Sequence, residues 1–220
     1  MSALIQVDDL TVRFGADVVA LNRCRMHIDR GEFVAVTGPS GSGKSTLLNI
    51  LGLLHQPTSG SYLLGGEPTA ELNERGRAAK RARDIGFVFQ SFHLIGHRTV
   101  RENVALGGLY QQLPPRARLE AADRHIEQVG LAHRRDALAG TLSGGESQRA
   151  AVARSLMGSP LLLLCDEPTG NLDSVNTESV LALLDELNAS GMTIVVITHE
   201  EEVARRASRR VVLRDGAVAA

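Results

Sequence analysis

Four short apolar runs limit what this chain can fold into: Phe33–Val36, Ile85–Phe89, Leu161–Cys165 and Ile194–Ile197. Their apolar residues are consecutive and do not alternate with polar ones. Strands buried on both faces, as in a parallel sheet, read this way. Helical patterns lie between them, at Lys44–Leu54, at Arg116–Val129 with Leu119, Ala122, Ile126 and Val129 on one face, from about Glu146, and at Val175–Leu187 ahead of Gly191. Strand and helix in alternation predict an α/β fold with an open parallel sheet. The runs end in Thr37-Gly38, Gln90, Asp166-Glu167 and Thr198-His199. Ligands of such sheets bind outside the carboxyl ends of the strands, so these polar positions are expected to converge.

The flanks read differently. Ile5, Val7, Leu10, Val12, Phe14, Met26 and Ile28 follow a period of two, which predicts half-buried antiparallel strands. The stretch Val211–Val218 reads as a hairpin turning at Asp215-Gly216. Glu71–Arg83 is dense in charge and reads as a solvated helix.

Composition removes several function classes. The 24 basic and 25 acidic residues leave a net charge of −1, without the basic excess of a nucleic-acid binder. Aromatics are 3%, too few for a platform that stacks single strands. No apolar run approaches the roughly 20 residues of a membrane-spanning helix. Met1–Asp9 lacks the basic start of a secretory signal. Cys24 and Cys165 have no metal-site or disulfide-framework spacing, and a reducing, cytosolic compartment follows. Only Lys44 and Lys80 are lysines, so 24 − 2 = 22 of the basic residues are arginines. Lys44 falls inside a motif, whereas Lys80 has no comparable context.

That motif is Gly38-Pro39-Ser40-Gly41-Ser42-Gly43-Lys44-Ser45-Thr46, which matches GxxxxGK[ST] between a predicted strand and a predicted helix. Its glycines let successive N–H groups face inward as an anion nest, and the helix start adds a positive dipole end. Lys44 would reach terminal phosphates, and the Ser45 hydroxyl would ligate Mg²⁺. Leu161–Glu167 is an apolar strand ending in two carboxylates, one suited to Mg²⁺ through water and the other to taking a proton from attacking water. In Leu142-Ser143-Gly144-Gly145-Glu146, Ser143 and Glu146 form a capping box. This reads either as a well-capped helix or as a second anion-binding helix start.

Taken together, LSGGE, the P-loop and LLLLCDE resemble the ATP-binding subunit of ABC transporters, from about Leu4 to Val218. Phe87–Phe92 and Gly170–Asp173 are similar to the branch of lipoprotein-release, macrolide-efflux and antimicrobial-peptide export systems and the cell-division permease pair. The resemblance implies one ABC ATPase domain over residues 1–220, comprising a RecA-like parallel-sheet core, an antiparallel β subdomain and a helical subdomain at about 91–157. It implies ATP and Mg²⁺ as cofactors and a head-to-tail homodimer enclosing two ATP. Each ATP would touch Gly38–Thr46 of one copy and Ser143, Gly144 and Gly145 of the other. Glu167 would be the general base, and His199 and Lys44 would contact the γ-phosphate. Ser45, Gln90 and Asp166 would approach the metal, and Asp173 would couple the two sites. Phe14 stands where the family often has a tyrosine stacked on adenine; the alternative is a core residue of the first sheet. Cys165, where the family often has alanine, reads as packing. The implied partner is a separate transmembrane permease, with the cassette peripheral on the inner face of the membrane and no nucleic acid bound. Phe92, Leu94 and Ile95 are either its contact residues or subdomain core.

A regulator of an envelope enzyme through a membrane partner is the other reading of the same motifs. A chromosome or repair ATPase of the superfamily would need a long coiled coil, but only 142 − 46 = 96 positions separate Thr46 from Leu142, without sustained heptads. A small-molecule kinase is disfavoured by LSGGE and the Asp-Glu pair.

Overall fold

All four apolar runs become neighbouring strands of one sheet. The computed structural model describes residues 3–15, 17–111 and 113–219. The strands are β1 (Ala3–Phe14), β2 (Val18–Asp29), β3 (Phe33–Thr37), β4 (Ser59–Leu64), β5 (Glu67–Pro68), β6 (Ile85–Phe89), β7 (Leu162–Asp166), β8 (Thr193–Ile197), β9 (Arg209–Arg214) and β10 (Ala217–Val218). The helices are α1 (Lys44–Leu51), α2 (Glu74–Asp84), α3 (Val100–Ala105), α4 (Pro115–Gln128), α5 (Gly144–Ser155), α6 (Ser174–Ala189) and α7 (Glu201–Arg206). One sheet has the order β10-β9-β3-β8-β7-β6, parallel except for β10. The other is antiparallel, β2-β1-β4-β5.

The parallel strands separate two apolar cores, which is why their sequences do not alternate. Phe33, Ala35, Leu163, Cys165, Ile194 and Val196 face a core built with α3–α6. Val34, Val36, Leu162, Leu164, Val195 and Ile197 face a second core, shared with α1 and the antiparallel sheet. Each fully buried Leu, Ile or Val contributes about 1.5–3 kcal/mol, so both faces hold the sheet.

Several boundaries move for local reasons. α1 stops at Leu51 and not Leu54, because the chain turns at Gly52, where a Cβ would lie 2.4 Å from the Phe87 ring. The third apolar run pairs from Leu162; the Leu161 N–H instead bonds the Asp84 carbonyl, and its side chain is partly exposed. Asp215 and Gly216 have φ of 47° and 76°, both left-handed as a two-residue hairpin turn requires.

The charged segment is not solvated all round. α2 starts at Glu74, with Asn73 accepting from the Gly76 N–H. On its inner face Lys80 and Asp84 are each only 6% exposed. Lys80 Nζ lies 2.6 Å from Glu67 and 3.1 Å from Asp84, fastening α2 to β5. Burial pushes the Asp84 carboxyl up, but hydrogen bonds from Arg83 and Lys80 outweigh it and hold it below the usual range. Lys80 therefore has a context after all. A charge-rich sequence hid it because its partners sit on another element.

Candidate functional site

The register of the parallel sheet assembles the site. Val36 pairs with Ile197, Ile197 with Asp166, and Asp166 with Phe89, so four strands end level with one another. The residues that follow, Thr37-Gly38, Thr198-His199, Glu167 and Gln90, leave from one edge.

From β3 the chain enters the P-loop. Gly38 and Gly43 have φ of 153° and 100°; a Cβ on either would lie 2.1 Å from the Leu213 carbonyl or 2.4 Å from that of Ala20. Both must be glycine, because β9 and β2 press against the loop from outside. The loop is also held by the terminal hairpin: the Gly216 N–H donates to the Ser42 carbonyl at 3.0 Å, and the Asn22 N–H to the Gly216 carbonyl at 2.8 Å. Lys44 Nζ donates to the Gly38 and Pro39 carbonyls, each at 2.9 Å, curling back over the loop. Gly43 gives α1 no side-chain cap, so the first N–H groups of α1 have no intrahelical partner. The Ser42 hydroxyl is buried without a hydrogen-bond partner among the described residues.

At the end of β7, burial and the neighbouring Glu167 charge push the Asp166 carboxyl up, with Lys44 opposing. Glu167 has φ 45°, a left-handed conformation rare for a residue with a side chain and of the kind that collects at functional sites. Its Oε1 lies 2.7 Å from His199 Nδ1, and its Oε2 accepts the His199 backbone N–H at 3.4 Å. This hydrogen bond, then the Glu167 charge, raises the His199 pKa. Thus Lys44, Asp166, Glu167 and His199 come together as expected.

The other expected residues stand apart. Gln90 turns to Asn171: its Nε2 donates to Asn171 Oδ1 at 3.3 Å, and Asn171 Nδ2 donates to the Gln90 carbonyl at 3.0 Å. Ser143 caps α5 in a complete capping box with Glu146. The neighbours of Gly144 and Gly145 are Leu172, Asn171, Phe92 and Asn176, none from the P-loop. Asp173 caps α6, accepting from the Asn176 N–H at 2.9 Å. Phe14 is 46% exposed at the β1–β2 tip, which rules out the core reading; its ring centroid lies 5.2 Å from that of His55. Leu94 is partly buried and packs against the helical core. Cys165 is fully buried, and burial raises its thiol pKa, consistent with packing.

The ABC transporter family model matches residues 21–170. The chain belongs to the ABC transporter family. It is an ABC-type ATPase cassette. It is 48% identical over 201 residues to the macrolide export ATP-binding/permease protein MacB of Chlorobium luteolum, covering 91% of this chain and 30% of that protein. It is 46% identical over 196 residues to the uncharacterized ABC transporter ATP-binding protein YknY of Bacillus subtilis, covering 89% of this chain and 85% of that one. The cassette thus spans about a third of the MacB-type relatives and most of YknY. A solved dimeric post-hydrolysis state of the ATP-binding cassette MJ0796, bound to ADP and Pi, superposes with TM-score 0.87 at 37% identity over 98% of this chain and 97% of that one.

Sequence reasoning missed the groups that tie the motifs together. Gln148, fully buried, donates from Nε2 to the Pro168 carbonyl at 2.7 Å and the Phe89 carbonyl at 3.3 Å, linking α5 to the ends of β6 and β7. Arg154 donates to the carbonyls of His93 and Phe92 at 2.6 and 2.8 Å. No periodicity signals a buried amide, and one arginine among 22 carries no mark.

Proposed function

We propose that this cassette hydrolyses ATP as a head-to-tail homodimer and drives a membrane permease on a separate chain. The observation that carries the reading is the row Val36–Ile197–Asp166–Phe89, which gathers an anion nest, a lysine, two carboxylates and a histidine at one sheet edge. In this reading the N–H groups of Gly38–Thr46 and the α1 dipole hold the β- and γ-phosphates. Lys44 exchanges its two carbonyls for phosphate oxygens. Glu167 accepts the proton of the attacking water, and His199, held by Glu167, contacts the γ-phosphate. Phe14, exposed beside Val18 and Val19, offers adenine a flat apolar surface.

The donor set fits a hard divalent cation: a serine hydroxyl at the start of α1, and an Asp166 carboxylate whose charge is disfavoured by burial and by Glu167. Ser45, Gln90 and Asp166 would hold Mg²⁺, which when bound neutralises phosphate charge.

A second copy completes the site. The N–H groups of Gly144 and Gly145 open α5, and the Ser143 hydroxyl accepts from the Glu146 N–H at the cap. With Leu172, Asn171, Phe92 and Asn176 as neighbours and no P-loop atom among them, they suit a phosphate held by the other protomer. The MJ0796 cassette, solved as a dimer bound to ADP and Pi, supports a dimer.

The helical region at about 91–157 and the sheet edge flank a groove of about 500 Å³, lined by Leu54, Phe87, Phe89, Tyr110, Arg81 and Arg154. We assign the permease to this groove, with the cassette peripheral on the cytoplasmic membrane face and the work being export or mechanical transmission. Among the described residues no helix is long and apolar enough to cross a membrane itself.

Phosphate release from ATP without any acceptor substrate tests the reading. The wild type is expected to turn over, and Glu167→Gln to lose about 10²-fold or more, the scale of general-base catalysis. A wild type that releases no phosphate, or a Glu167→Gln variant with near-normal turnover, would overturn it. Affinity capture from membranes with Glu167→Gln and ATP is expected to bring down the permease.

A further inference from the structure

The start of α5 carries an electrostatic conflict. If Ser143, Gly144 and Gly145 receive a phosphate from the other protomer, Glu146 sets a carboxylate within one turn of a multiply charged anion. Like charges brought together on closing an interface oppose that closure. Glu146 cannot swing away, because its Oε2 accepts the Ser143 N–H at 2.8 Å in the capping box.

Arg134 answers that conflict. It ends a short 3-10 turn, Ala132–Arg134, outside α5. Its Nε lies 3.2 Å from Glu146 Oε1, the carboxylate oxygen that the capping box leaves over. The same guanidinium donates through an NH2 group to the Thr141 carbonyl at 3.0 Å, two residues before the cap. His133 Nε2 stands 3.9 Å from that Glu146 oxygen. The Glu146 carboxyl is held below the usual range, first by the Ser143 N–H and then, against burial, by the Ser143 hydroxyl, Arg134 and Arg149. Glu146 is therefore ionised at neutral pH and in need of a counter-charge.

We propose that Arg134 is a positioning residue for the trans phosphate: it neutralises Glu146 and fixes the approach to Ser143, so that the α5 start can bind an anion. This rests on the trans-phosphate reading above. In that reading nothing binds through Arg134 itself. It acts through Glu146 and the Thr141 carbonyl, and its effect is confined to dimer closure, because the P-loop of the same copy lies elsewhere.

The test uses the full chain in a Glu167→Gln background, where ATP-driven dimerisation is read by light scattering and ATP binding to the monomer by fluorescence of a nucleotide analogue. Glu167→Gln alone must dimerise with ATP; if it does not, the trans-phosphate reading itself fails. Arg134→Ala is expected to weaken dimerisation about tenfold and leave monomer binding unchanged. Adding Glu146→Gln, which keeps the capping box and removes the charge, is expected to restore dimerisation, and Arg134→Lys to retain much of it. If Arg134→Ala dimerises normally, or if Glu146→Gln fails to rescue it, the charge role is refuted; in the latter case Arg134 only braces Thr141. Thermal melting of each variant separates these outcomes from misfolding.

Discussion

Glu167 Oε1 and His199 Nδ1 meet at 2.7 Å although the residues leave different strands, because Ile197 stands in register with Asp166. The sheet, more than any local motif, aims this pair. The contact also fixes a protonation preference. The ion pair favours the imidazolium, so the His199 pKa is raised. The interaction is therefore fully present below the ordinary histidine pKa and is lost as pH rises through the raised value. Glu167→Gln removes the charge and is expected to bring the His199 titration down toward about 6.5. Ring-nitrogen NMR measures this; an unchanged midpoint would show that the pair is not formed in solution.

Lys44→Ala is expected to abolish useful ATP affinity, and Lys44→Arg not to restore it. A planar guanidinium cannot take the place of a compact ammonium folded over the Gly38 and Pro39 carbonyls. Calorimetric titration with ATP decides this, and near-normal binding by either variant contradicts the assigned contact.

The terminal hairpin should matter to nucleotide binding although it bears no motif. Gly216 has φ 76°, a Cβ there would lie 2.9 Å from the Ala20 carbonyl, and its N–H holds Ser42. Gly216→Val is expected to cost about 1–3 kcal/mol of stability and to raise KM for ATP more than it lowers kcat. Unfolding curves and steady-state kinetics check the two effects separately.

Lys80→Met should destabilise the fold without touching the site. It leaves Asp84 buried with Arg83 as its remaining partner, at a cost of about 2–4 kcal/mol in urea unfolding. Because the Asp84 pKa is depressed, its contribution is present above the unfolded value of about 3.9 and is lost as pH falls through the folded one. The gap between wild type and variant should therefore narrow in acid. A variant as stable as wild type at neutral pH would contradict the latch.

What was legible in the sequence follows physical lines. The parallel strands could be read because two-sided burial writes continuous apolar runs, and the P-loop and the capping box at Ser143 because local backbone chemistry demands particular residues at fixed spacing. The α2 latch, the Gly216 prop and the Gln148 bridge could not, because each joins groups distant in sequence by single hydrogen bonds or ion pairs that leave no period. Phe14 could be read either as core or as surface, since a strand tip and a strand interior share the same alternation. Only its exposure at the β1–β2 tip separates the two.

The central claim is that each nucleotide is shared between the P-loop of one copy and the α5 start of another. Complementation tests it most directly, with every chain carrying Glu167→Gln. Lys44→Ala disables the P-loop, and Ser143→Asp keeps the helix cap while setting a negative charge against the phosphate. Each variant alone should remain monomeric with ATP. Mixed, they should form a dimer holding one ATP, because one composite site is intact. A mixture that stays monomeric, or a Ser143→Asp chain that dimerises alone as well as its parent, would contradict the shared site.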